Sequence, residues 1–113
     1  MRDAVSAAVD DSVFGKVVDQ MRAAATGITV AAPVAATVEV QQRLGLTDTE
    51  RDAILSSLTT GTDLSWWGLV NAVTDAAKQA PSFERQVEME GFGYDLLVAS
   101  PRDRYAIAMA GAR

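Results

Sequence analysis

Four hydroxyl side chains, Thr47, Ser65, Ser82 and Ser100, each stand immediately ahead of a run with helical periodicity, and they divide the chain into a series of short helices. Thr47-Asp48-Thr49-Glu50 has the form of a capping box: the threonine satisfies an early backbone donor and Glu50 reaches back to the cap. The helix it opens starts near Asp48, runs through Ile54, Leu55 and Leu58, and yields to a turn over 59–62. Ser65 caps a helix from Trp66 to Ala80, with Leu64 ahead of the cap and Pro81 stopping the last turn. Ser82 opens a shorter helix through Glu90; Gly91 and Gly93 then break the pattern, and Tyr94 to Val98 reads as a short β element. Ser100-Pro101 is a cap with proline at the first helical position, so a closing helix is expected from Arg102 to Ala110.

Upstream, Val13, Phe14, Val17, Val18, Met21 and Ala24 recur at helical spacing between Asp11 and Thr26, leaving Lys16, Asp19 and Arg22 for the opposite face. Gly27 is placed to end that amphipathic helix, and Ala4 to Val9 reads as a helical turn before it. Ile28 to Val34 is β-branched and interrupted by Pro33, which predicts an extended connection. Ala35 to Leu44 is expected to be helical and closed by Gly45. With 113 residues, 49% of them hydrophobic, the chain has enough apolar surface for one core. The expectation is a single mainly α domain over 1–113, a small bundle of about five helices with one short β element at 94–98.

The residue types present narrow the chemistry. The chain has no histidine and no cysteine, which removes the commonest general base, the commonest metal ligand and the thiolate nucleophile together. Glu84 with Glu88, and Asp48 with Asp52, share helix faces, yet two carboxylates fall short of a calcium cage. Gly91-Phe92-Gly93 lacks the further glycine and the lysine of a phosphate loop. No enzyme activity, metal or cofactor is therefore expected. The net charge of −5 repels phosphate backbones, and the basic residues are scattered, Arg102 and Arg104 being the closest pair. Nucleic acid is thus not the expected partner of the isolated domain. The longest apolar stretch, Ile28 to Val38, is shorter than the ~20 residues a bilayer span needs, and Met1-Arg2-Asp3 lacks a basic leader. No membrane association is expected, and the cytoplasm is the simplest location.

The tryptophan pair is the most distinctive feature, because adjacent helical residues point about 100° apart. Trp66 aligns with Leu69, Val70 and Val73, which are assigned to the core. Trp67 aligns with Asn71, Thr74 and Lys78, a large aromatic at the head of a polar strip. One reading makes this strip a recognition surface, since tryptophan is enriched at binding hot spots and the amide and hydroxyl supply directed hydrogen bonds. The other has Trp67 packing beneath the C-terminal segment with Asn71 bonded to a loop.

Leu46-Thr47-Asp48-Thr49-Glu50-Arg51 and Asp63-Leu64-Ser65-Trp66-Trp67-Gly68-Leu69-Val70-Asn71-Ala72-Val73-Thr74 resemble the C-terminal part of the phage/plasmid-like proteins grouped as domain of unknown function 932. Ser82-Phe83-Glu84-Arg85 through Gly91-Phe92-Gly93 is similar to the acidic helix and glycine turn of that family, so the likeness spans roughly Gln41 to Ala110. Members are several times longer than this chain. The resemblance implies carriage on phages, prophages or plasmids and supplies no catalytic residue. Together with the missing chemistry it leads to the expectation of a non-enzymatic phage or mobile-element protein. Such a protein would bind a host or phage protein through Trp67, Asn71, Thr74 and Lys78, with homo-oligomerisation as a further possibility. An accessory factor of mobile-element DNA metabolism and a virion subunit are the alternative expectations.

Overall fold

The computed structural model describes residues 27–112 together with Lys16; the helix expected over 11–26 and the turn ahead of it lie outside the described residues. Five helices follow one another: α1 (Pro33–Leu44), α2 (Asp48–Thr60), α3 (Trp66–Ala77), α4 (Phe83–Leu97) and α5 (Pro101–Ala108). The fold is mainly α, a small bundle, and the β structure among the described residues is the isolated antiparallel bridge between Thr29 and Ser65.

Local chemistry explains most of the boundaries. The side chains of Thr47, Ser65, Ser82 and Ser100 accept from the backbone N–H groups of Glu50, Gly68, Arg85 and Asp103. At α2 the box is complete, because Glu50 Oε1 also accepts from the Thr47 N–H at 2.9 Å. α1 starts two residues earlier than expected: Pro33 is its first residue, not part of the extended connection. A proline costs nothing there, since the first N–H of a helix has no intrahelical partner. Gly45, left-handed at φ 69°, closes the same helix and donates to Gln41 O at 2.9 Å. α2 continues to Thr60, with the Thr59 and Thr60 hydroxyls bonded back to carbonyls of the preceding turn. α3 ends at Ala77, short of Ala80, where Gln79 and Ala80 donate three residues back instead of four.

The largest correction concerns α4. Tyr94 to Leu97 is helix, not a β element, and Gly91 and Gly93 both lie inside a continuous helix of 15 residues. Gly93 is buried where α4 crosses α3: a Cβ there would lie 2.9 Å from Thr74 Cγ2. The glycine admits the close approach of two helices, and the packing it allows outweighs its poor helix propensity.

α3 is the central helix, packed between α2 and α4, while α1 lies on α2 and touches α5. Trp66, Leu69, Val70 and Val73 are buried, joined by Val40, Ile54, Leu58, Met89 and Ile107 from the surrounding helices. Trp66 Nε1 donates to Leu96 O at 2.9 Å, so the ring fills the core while its polar edge anchors the last turn of α4. The extended segment ahead of α1 joins the start of α3 to the end of α5: Trp66 N donates to Ile28 O, Val30 N to Leu64 O and Ala31 N to Ala108 O, all within 2.7–2.8 Å.

Candidate functional site

The strip headed by Trp67 runs along the outer face of α3, between its two neighbours. Trp67 is half-buried and packed against the core. Asn71 is exposed and lines a small cleft with Ser57 and Gly61 at the end of α2. Thr74 is half-buried, its methyl set against Gly93 and its hydroxyl donating to Asn71 O at 2.9 Å. Lys78 is exposed, 3.5 Å from Asp75. Two of the four residues thus contribute to the body of the protein, and the strip is the floor of a seam more than a raised face.

A different surface stands out. Phe83, Val87, Tyr94 and Val98 are 79%, 50%, 63% and 46% exposed. At 3.6 residues per turn they fall within about 60° of one another around the α4 axis, on the side turned away from Met89, Gly93 and Leu96, which face α3. Large apolar side chains scattered singly on a surface need no explanation, whereas three in register along α4 and a fourth, Val98, at its C-cap form a stripe. Glu84, Glu88, Glu90 and Asp95 are also exposed and border the patch. Continuity of α4 through both glycines creates this stripe; a helix stopped at Glu90 would carry only its first half.

The one basic residue of α4, Arg85, is turned to the other side. Its Nε and Nη2 donate to the two carboxylate oxygens of Glu50 at 2.7 Å each, its Nη1 donates to Glu88 at 2.9 Å, and its guanidinium lies 5.6 Å from the centroid of Phe92. The hydrogen bonds from Arg85 hold the Glu50 carboxyl down to about 2, with the Thr47 backbone helping and partial burial opposing. Glu50 in turn raises the affinity of Arg85 for its proton. This pair sits at the mouth of a cleft of about 620 Å³ between α2, α3 and α4, floored by Ala53, Ala76, Ala80 and Met89. A carboxylate so far below neutrality and a guanidinium cannot exchange protons near pH 7, so the pair acts as a clamp that ties α4 to the cap of α2.

No family model matches the chain, and no curated protein or solved structure matches it. Among the described residues no three carboxylates gather as metal ligands, and no helix is long and apolar enough to cross a membrane.

The bidentate Glu50–Arg85 pair and the α4 stripe both escape a reading of the sequence. For the stripe a signal exists: Phe83, Val87, Tyr94 and Val98 keep helical spacing across the glycines, which is visible once the helix is allowed to continue through them. For the ion pair none does, since its members are 35 residues apart.

Proposed function

We propose that this chain is a non-enzymatic protein of a phage or other mobile element, acting in the host cytoplasm by docking a protein partner onto a helical surface. The exposed apolar stripe of α4 carries the reading: four large side chains remain exposed along the helix and its C-cap, on the side away from Met89, Gly93 and Leu96, which pack on α3. An acidic border without a free cation on the same helix disfavours a phosphate backbone as the ligand and fits a polypeptide. The mobile-element setting rests solely on the resemblance of Leu46–Arg51 and Asp63–Thr74 to phage/plasmid-like proteins, with no family-model match behind it.

Val87→Glu combined with Tyr94→Glu tests the reading. Both sites are exposed, so the helical circular dichroism should be unchanged, while proteins retained from host or phage-infected cells by the wild type, further copies of this chain included, should be lost. Identical retention by wild type and variant would end the stripe's claim. Turnover of a substrate that disappears on replacing a single acidic or hydroxyl side chain would end the non-enzymatic reading. The Trp67 strip is examined alongside with Asn71→Arg and Lys78→Glu, which alter its exposed members.

A further inference from the structure

Among the described residues nothing requires Gly91 to be a glycine. It lies in the middle of α4, its φ is not left-handed, and a Cβ built on it would meet nothing within 4 Å. Relative to alanine it costs the helix about 0.5–1 kcal/mol. What glycine does permit is the close approach of another backbone, and Gly91 lies level with the middle of the stripe, about 20° beyond its Val98 edge around the α4 axis. The stripe itself is palindromic: from Phe83 to Val87 to Tyr94 to Val98 the steps are four, seven and four residues, symmetric about the Glu90–Gly91 bond.

We propose that the outer face of α4 is a two-fold interface with a second copy of this chain, the two α4 helices packing antiparallel and crossing at Gly91. This rests on the reading of that face as a docking surface and names its occupant. Antiparallel pairing about the midpoint sets Phe83 against Val98 of the partner and Val87 against the partner's Tyr94, each contact occurring twice, which is the self-complementarity an isologous interface requires. A partner of unrelated sequence would call for no such symmetry. Scaled by their exposures, the four side chains of one stripe offer about 450 Å², so two stripes bury ~900 Å² and the bordering residues must supply the rest of the ~1,200 Å² at the low end of stable interfaces.

The borders give the proposal a distinctive signature. In the antiparallel arrangement Glu84 comes to lie near the partner's Asp95, and the Glu90 side chains of the two copies meet near the axis, so both borders repel. Screening these like charges tightens the dimer as salt rises, whereas a cationic helix from another protein would be released by salt.

Sedimentation velocity of the full chain over a range of concentrations and salt, joined to disulfide trapping, decides the matter. The chain has no cysteine, so introduced thiols report without background. A concentration-dependent dimer is expected, tightening with salt and abolished by Val87→Glu with Tyr94→Glu. Gly91→Ala should weaken its Kd at least about tenfold, as a methyl group forced into a close crossing. Val87→Cys mixed with Tyr94→Cys should give a cross-linked pair on oxidation, and each variant alone should not. A chain monomeric at every concentration overturns the proposal, including the case in which residues 11–26 of the same chain cover the stripe. So does a dimer indifferent to the double substitution, or one that Val87→Cys alone cross-links, which would mean parallel helices. If the chain is monomeric while the double substitution still abolishes retention of another protein, the second copy is refuted and the docking surface stands.

Discussion

Replacing Gly93 and Gly91 one at a time by alanine applies the same chemical change to two positions of one helix and should give opposite results. Each substitution gains about 0.5–1 kcal/mol of helix propensity. At Gly91 nothing opposes the gain, because the new methyl group points into open space. At Gly93 it would lie 2.9 Å from Thr74 Cγ2, well inside the ordinary ~3.5–4.0 Å carbon–carbon separation. Thr74 cannot swing away cheaply, since its hydroxyl is fixed by the bond to Asn71 O and its branched Cβ has few rotamers. Overpacking of this kind costs about 1–3 kcal/mol, so the two variants should differ by about that much, with Gly91→Ala above wild type and Gly93→Ala below it. Urea unfolding followed by circular dichroism measures the difference, at protein concentrations low enough that self-association adds nothing. Thr74→Ser supplies the control, keeping the hydroxyl and deleting Cγ2. Combined with Gly93→Ala it should recover about 1 kcal/mol or more of coupling in a double-mutant cycle. Equal stability of the two alanine variants, or no recovery with Thr74→Ser, would refute the account of why α4 runs through its glycines.

Acid should weaken the fold through Glu50. Its carboxyl titrates near 4.5 when unfolded and at about 2 when folded, so the stabilisation is complete above about pH 4.5 and is lost as the pH falls toward 2. The shift caps the contribution at about 3 kcal/mol, less what solvent screening removes near the surface, and Glu50→Gln should lower stability at pH 7 and flatten this part of the pH profile in urea unfolding. A wild-type profile as flat as that of the variant would show that the ion pair contributes nothing. Trp66→Ala should cost ~3–5 kcal/mol as a fully buried truncation, and Trp66→Phe, which keeps a ring but removes the donor to Leu96 O, about 1–2 kcal/mol. Thermal unfolding of the two variants checks the order; an unchanged Trp66→Phe would mean that the indole N–H is not part of the stabilisation, and a loss as large as that of Trp66→Ala would mean that burial of the ring is not.

How much of this was legible follows from the range of the interactions involved. Capping is local: Thr47 and Glu50, Ser65 and Gly68, Ser82 and Arg85, and Ser100 and Asp103 are each three residues apart, and the helix starts they set can be read from the chain. The same rule that places Pro101 at a helix start places Pro33, but there no side chain marks the cap, since Ala32 has none to offer. Glu50 shows both limits in one residue. Its bond to the Thr47 N–H is written in the capping box, while its bonds to Arg85 depend on how the packing of α2 and α4 on α3 brings the first turns of both together, which no local pattern encodes.

The misread glycines carry the widest consequence. Propensity alone makes Gly91-Phe92-Gly93 the end of a helix, and that judgement leaves out Thr74, the residue on another helix for which Gly93 makes room. Ending α4 at Glu90 also cuts the stripe in two and assigns Tyr94 and Val98 to a β element, so the exposed apolar face of α4 is lost and Trp67 is left as the only large aromatic on a polar strip. Restoring the helix restores the face, and it leaves Gly91 as the glycine that the protomer does not need. A residue that lowers the stability of a helix and relieves no crowding among the described residues makes physical sense where another backbone comes close. The symmetry of the side chains around it points to a second copy.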